Sequence, residues 1–425
     1  MRSTYGSLAF LIITVIITGL TPLAAQDVLR AGIATADITP EQPVKMSGYA
    51  GRSEGPKLSE GVHDRLYARV TAFERAGKRL VIVSTDLIGF YDAYEHFRDV
   101  LTAEFQLDES ELWLTSTHTH AGPTPTVDDS VHPNNRQYTN TLLAKLRTTI
   151  QTALSNLSPV QLGAGRGSLS IASNRRAERP DGTVWLGRNT YGPTDKEVLV
   201  VRIDKPDGSP LAAMFTYPTH ATSLGSKNFQ ISGDLLGLAA QYTEKIIAPA
   251  VASVFAGASG DINPWWKGIS EFRTKRGFIP ETELMGMVIG TEVIHTYEAI
   301  EDMHLQGDIR TTFTDITLPG KQRGEMLAKP TDPDGSMNIT AAAIGDIAFI
   351  GVGCELLHEP GMAIKAASPF KYTFLITHCN GAAGYLAPAH LFKSGGYEIK
   401  STPFAPAAAD MVVKKALTML YDLKN

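Results

Sequence analysis

The stretch Ser116-Thr117-His118-Thr119-His120-Ala121-Gly122 follows the apolar run Leu112-Trp113-Leu114, and the reading of this junction decides the fold. A short apolar run that stops at a polar, glycine-closed loop is the pattern of a buried strand ending at a sheet edge. Side chains alternate between faces along a strand, so His118 and His120 would point to the same face if the strand continued through them. Loops at the C-terminal ends of strands are where α/β scaffolds place their sites. Imidazole is the commonest transition-metal ligand and the usual proton carrier near neutral pH. An isolated H-x-H is more often a pair of hydrogen-bonded loop residues, so the motif gains weight only from the rest of the chain.

With 425 residues, 43% of them hydrophobic and 20% charged, the chain is long enough for a large core. Its formal net charge is -5 and no basic run is present, which argues against nucleic acid as a partner. Arg2, an apolar run over 8–20 and then Thr21-Pro22-Leu23-Ala24-Ala25 have the order of a secretory signal. This predicts a signal peptide over 1–25, a mature domain over 26–425 and a secreted or periplasmic protein. The apolar run is shorter than the ~20 residues that span a bilayer, so no stable membrane anchor is expected. Cys354 and Cys379 are the only cysteines. Export permits a bridge between them, and two buried free thiols are the equal alternative.

Around the histidine loop the chain alternates strand and helix signals. Two β-rich runs, 66–74 and 79–85, are joined by the turn Arg75-Ala76-Gly77-Lys78. Helical spacing follows at 91–105, 135–157, 234–247, 281–300 and 407–423. Lys205-Pro206-Asp207-Gly208 turns a hairpin between 198–203 and 211–217, and further strands are expected at 251–255, 306–317, 337–344, 347–352 and 372–376. The pattern predicts an α/β fold: one large domain with mixed β-sheets flanked by helices. A weak echo runs through it. A strand ending in an acid (Asp86, Glu355) precedes a strand closed by Thr117-His118 or Thr377-His378.

Four separate strand ends carry metal-competent side chains: His118, His220, Glu355 and Tyr385. Nitrogen and oxygen donors of this kind suit Zn²⁺. Each alone has an ordinary reading, His220 as a loop cap, Glu355 as the start of a helix and Tyr385 as a half-buried aromatic.

With their flanks these residues resemble the catalytic domain of the neutral ceramidase family over 31–398. The opening A-G-I-A-T-A-D-I-T-P at 31–40, Met46-Ser47-Gly48-Tyr49, and G-V-H-D-R-L-Y-A-R at 61–69 are similar to that family's start. The S-T-H-T-H-x-G-P loop is its most specific motif. The resemblance implies that His118 is a zinc ligand and that His120 faces the substrate. It further implies ligands at His220, in the H-x-T-S segment, at Glu355 and at Tyr385, with Tyr397 as a substrate-side hydroxyl and Arg175 as a substrate contact.

One departure bears on the chemistry. The family motif G-D-V-S-P-N carries the nucleophilic serine, and here it reads Gly260-Asp261-Ile262-Asn263-Pro264-Trp265. An amide cannot form an acyl-enzyme, although Asn263 can donate a hydrogen bond to an oxyanion. The expected enzyme is therefore a zinc-dependent hydrolase of a C–N amide, such as a ceramide-like N-acyl bond, that uses a metal-activated water. His120 and Tyr397 would handle protons or the oxyanion, Arg175 would hold a polar substrate group, and Asp261 would orient the loop. Ser259, in the same tight loop, reads as structural. The alternatives are a zinc hydrolase or lyase acting on a glycan or ester, and a metal-retaining binding protein without catalysis.

Overall fold

A computed structural model describes residues 28–265, 281–305, 307–321 and 334–425. The expected signal segment, and residue 306 at the start of the strand expected over 306–317, lie outside the described residues.

Three times along the chain the same succession recurs: three antiparallel strands, a helix, a fourth strand parallel to the third, and a second helix. In the first unit β1 (Arg30–Asp37), β2 (Tyr67–Arg75) and β3 (Lys78–Thr85) lead to α1 (Tyr94–Phe105), β4 (Leu112–Ser116) and α2 (Pro133–Ser155). The second unit starts with β5 (Gln161–Ser168) and then inserts the hairpin β6 (Ala172–Glu178) and β7 (Val184–Asn189). It resumes with β8 (Glu197–Asp204), β9 (Pro210–Tyr217), α3 (Asp234–Ile246) and β10 (Val251–Ala256). A short strand, β11 (Ile262–Pro264), pairs with β6 before α4 (Glu281–Glu298) closes the unit. The third unit runs β12 (Ile309–Leu318), β13 (Gly335–Ile344), β14 (Ile347–Val352), β15 (Glu355–Leu356), α5 (His358–Ala367), β16 (Tyr372–Thr377), β17 (Tyr385–Leu386) and α6 (Ala408–Lys424), in which β15 and β17 pair with each other outside the main sheet.

The parallel partner in each sheet arises because the connection from third to fourth strand carries a helix and cannot be a tight turn. The β2–β3 connection is the opposite case. Ala76 and Gly77 both take positive φ, 50° and 79°, which lets a two-residue loop match the strand twist.

The inner faces of the three sheets meet in one shared core. Phe73, Ile82 and Trp113 from the first sheet pack with Val201, Met214 and Phe255 from the second and Phe349, Phe374 and Ile376 from the third. Each sheet's outer face is covered by its own helices, giving three satellite cores. Strands with both faces covered need near-continuous apolar sequence, and all of β14 (Ile-Ala-Phe-Ile-Gly-Val) is buried. The α/β architecture with mixed sheets expected from sequence is thus what the chain adopts. The strand and helix succession is repeated three times, but the echoed residues do not hold equivalent places in it: Asp86 lies one residue past the last paired residue of its strand and Glu355 three. Cys354 and Cys379 are buried free thiols, and no disulfide joins them.

Candidate metal centre

The ends of the parallel strand pairs bring the candidate ligands together. After β4 the backbone turns through His118 at φ 60°, a left-handed conformation that is strained for a residue with a side chain. That turn drops the imidazole inward, where it is 1% exposed, and its Nδ1 lies 2.8 Å from the carbonyl oxygen of Ile88. After β9, His220 is fully buried and its Nδ1 lies 2.6 Å from the carbonyl oxygen of Ser259. A carbonyl can only accept, so both Nδ1 atoms carry the proton and both Nε2 atoms present lone pairs. Backbone anchoring of this kind is how metal-binding histidines are held in one tautomer.

Both Nε2 atoms face Glu355. Its Oε2 is 3.5 Å from His118 Nε2 and 3.3 Å from His220 Nε2. Yet this buried oxygen accepts no hydrogen bond among the described residues. An acceptor set between two lone pairs is repelled by both unless a cation lies between them, so the donor chemistry fits a divalent metal such as zinc. Burial, then the Arg175 guanidinium, depresses His220 to about 3, which keeps its lone pair unprotonated at neutral pH.

Tyr385 is brought in by strand pairing, since β15 and β17 set Glu355 directly beside it. Its hydroxyl accepts a hydrogen bond from Arg175 Nη2 at 3.1 Å. Burial and the neighbouring Glu355 charge raise its phenol well above the ordinary value. His120 also reaches the cluster, with Nε2 3.2 Å from His118 Nε2. The rings of His118, His120 and His220 are splayed, with interplanar angles of 62° to 83°. Their ligand atoms fall within 4.8 Å of one another. Gly48, at φ 97°, lets the chain pass over His120, because a Cβ there would lie 2.3 Å from His120 Nδ1.

The inserted hairpin supplies the cations. On β6, Arg175 and Arg176 are buried, and Glu398 receives Arg175 Nε and Arg176 Nη1, each at 2.7 Å. Arg175 Nη1 also stands 3.2 Å from His220 Nε2. Above the cluster opens a cleft of about 570 Å³, lined among others by Tyr49, His120, Arg175, Phe229, Tyr385 and the half-exposed Tyr397. The Tyr397 ring packs edge-on against Tyr385 with centroids 5.6 Å apart.

The remaining candidates, Asp261, Asn263 and Ser259, are buried. Both oxygens of Asp261 are engaged, Oδ1 by the His358 amide at 2.9 Å and Oδ2 by His358 Nδ1 at 2.7 Å and Asn174 Nδ2 at 3.1 Å. It therefore braces the segment from Glu355 to His358 against β6. Asn263 is buried on β11 opposite Ser173, and its Oδ1 has no hydrogen-bond partner among the described residues. Ser259 contributes its carbonyl to His220. Sequence reasoning missed His378 as a site residue. Its ring lies flat on His118, with centroids 3.7 Å apart and planes 11° from parallel. The one signal that could have found it was the echo between Thr117-His118 and Thr377-His378.

The class that this fold and site define is an α/β domain of mixed sheets with a cluster of side chains able to hold a metal ion. Over residues 29–272, more than half of its length, the chain matches the family described as neutral/alkaline non-lysosomal ceramidase, N-terminal, and it belongs to that family. It is 30% identical over 264 residues to the neutral ceramidase of Pseudomonas aeruginosa, covering 57% of this chain and 38% of that protein. Neutral ceramidase B of Dictyostelium discoideum is 28% identical over 260 residues, covering 56% of this chain and 36% of that protein. The matched region thus spans less than two-fifths of these relatives. In three dimensions the chain superposes on a ceramidase complexed with C2 with a TM-score of 0.77 at 21% identity, covering 93% of this chain and 75% of the other. The crystal structure of the Pseudomonas aeruginosa neutral ceramidase gives 0.75 over the same shares.

Proposed function

We propose that the chain is an exported zinc-dependent hydrolase that cleaves the amide of a ceramide-like N-acyl lipid by direct attack of water, and that residues 26–425 form its single catalytic domain. The observation that carries the reading is the convergence of two Nε2 lone pairs, from His118 and His220, on the unpartnered Oε2 of Glu355. Zinc held by His118, His220 and Glu355, with Tyr385 beside it, supplies Lewis-acid activation of the water and the carbonyl.

The chain's own groups do the rest. Asn263 stands where a nucleophilic serine would form an acyl-enzyme, so water takes that role and Asn263 is left to steady the oxyanion. His120 Nε2, at the floor of the cleft, is placed to carry a proton to the leaving nitrogen. Arg175 cannot lose its charge, and its position between Tyr385 and His220 suits it to orient a polar headgroup. Tyr49, Leu186, Phe229 and Tyr397 give the cleft apolar wall for an alkyl chain. The lipid-amide substrate is what the names of the relatives suggest for it.

The test is metal analysis of the purified protein together with hydrolysis assays on short-chain ceramide, matched esters and glycans. Zinc near one per chain and cleavage of the amide, abolished by a chelator and restored by zinc, is the expected result. Native activity that survives metal removal would overturn the mechanism, and turnover of only esters or glycans would overturn the substrate class.

A further inference from the structure

His378 follows β16 and turns through φ 52°, the same left-handed step that His118 takes after β4 at 60°. Two strained turns from different sheets therefore deliver two imidazoles face to face in the interior. Strain at such positions persists only where the surroundings enforce it. His378 is 3% exposed. Its nitrogen comes within 4.8 Å of both the His118 ligand atom and a Glu355 oxygen.

Proximity alone would make it another ligand, but orientation excludes sharing an ion with His118. A ring nitrogen's lone pair lies in the ring plane, and zinc sits about 2.0–2.1 Å along it. Planes 11° from parallel with centroids 3.7 Å apart direct their lone pairs side by side, so they do not meet at one such point. His118, His120 and His220, splayed at 62° to 83°, do not have this obstacle.

We infer that His378 is a positioning residue for the metal centre: its ring, stacked on His118, fixes the plane of that imidazole so that Nε2 points at the space between Glu355 and His220. Apart from the Nδ1 contact with the Ile88 carbonyl oxygen, the other ring neighbours of His118 among the described residues are edge-on, His120 at 4.8 Å and His220 at 5.0 Å, and edge contacts leave rotation about the Cβ–Cγ bond less restrained than a flat partner does. The ring face of His378 is what matters, and its nitrogens are dispensable. This inference rests on the metal reading proposed above.

The experiment is a chelator-competition measurement of zinc affinity on the purified chain, with thermal unfolding of the metal-free protein alongside. Groups that orient a metal ligand typically change affinity about 10- to 100-fold when lost, so His378→Ala should weaken zinc binding by that factor. His378→Phe keeps the flat face and should stay within about threefold of wild type, since the stack is retained. Should His378→Ala fail to fold, His378→Gln takes its place and should bind zinc more weakly than His378→Phe. Unchanged affinity in the alanine variant would overturn the inference, and so would a phenylalanine variant as weak as the alanine or glutamine one. A wild-type chain that binds no zinc would instead sink the metal reading itself.

Discussion

His220 and Glu355 occupy the same place in two different copies of the repeated unit. Parallel pairing ends at Tyr217–Ala256 in the second sheet and at Val352–Thr377 in the third, and each residue lies three positions beyond the third strand's last paired residue. In the first sheet pairing ends at Thr85–Ser116, and the same count gives Ile88. Ile88 offers no ligand, but its carbonyl oxygen receives Nδ1 of His118. The three units thus converge on one point, two through a side chain and one through the main chain that holds the third donor. A metal at that point would tie together three sheets that also share an apolar core and polar contacts such as Ser84 Oγ donating to the Val254 carbonyl oxygen at 2.7 Å.

Loss of either symmetry-related ligand should therefore cost more than activity. His220→Ala and Glu355→Ala are each expected to remove stoichiometric zinc after dialysis and to abolish hydrolysis, because one ligand fewer leaves the ion poorly held. The wild type should also gain thermal stability on adding zinc, by the mass-action stabilisation of a ligand that binds only the folded state, and both variants should lose that gain. Equal zinc-dependent stabilisation in wild type and variants would show that the ion sits elsewhere.

Asn263 makes the sharpest chemical distinction. If water attacks directly, Asn263→Ala should lower turnover by about a hundredfold or more, the usual loss for one oxyanion donor, with zinc content unchanged. Asn263→Ser installs a hydroxyl at the position where the family has its serine. A gain in short-chain ceramide cleavage with a burst of acyl-enzyme would mark the fold as one substitution from the covalent route, whereas loss of all native activity would mark a distinct reaction.

How much of this was legible beforehand depends on what kind of force places each group. The β4 strand and His118-Thr119-His120 could be read directly, because a buried strand must be apolar and a glycine-closed loop must end it. His220, Glu355 and Tyr385 could be picked out as metal-competent residues at strand ends, but single polar residues there carry no local signature, and it was the resemblance that joined them into one ligand set. The β6–β7 hairpin was not foreseen, because Ala-Ser-Asn-Arg-Arg-Ala-Glu does not look like a buried strand. Its burial is made tolerable by Glu398, 0% exposed and far along the chain, which pairs with both Arg175 and Arg176. That compensation is tertiary, and no window of sequence contains it. His378 escaped for a related reason, its significance being the parallel orientation of two rings from different sheets.

Gly48 tests whether His120 must stand where it does. A methyl at this φ of 97° would lie 2.3 Å from His120 Nδ1, so Gly48→Ala must push the ring or the loop aside. The expected outcome is a fall in turnover of about a hundredfold, as for an ångström-scale misplacement of a reacting group, with zinc retained. Full activity in this variant would remove His120 from the proton-transfer role, and loss of zinc would make it a ligand.

The buried pair Asp261–His358 should set the pH dependence of stability behind the site. Burial pushes His358 down, but hydrogen bonding and charge from Asp261 more than reverse this, leaving it above its ordinary 6.5. Burial pushes Asp261 up, and His358 outweighs that, leaving it below 3.8. The histidine's share of stability is thus fully present below 6.5 and lost as pH rises through its raised value, while the aspartate's share is present above 3.8 and lost as pH falls through its lowered one. Removing one partner of a buried pair typically costs about 3–5 kcal/mol, so Asp261→Ala should lose that much near pH 5 to 6. Denaturant unfolding of the metal-free protein across pH 3 to 9 measures it. The difference between wild type and variant should be greatest in the middle of that range and shrink on both sides; a difference that does not vary with pH would mean the two groups are not paired as ions.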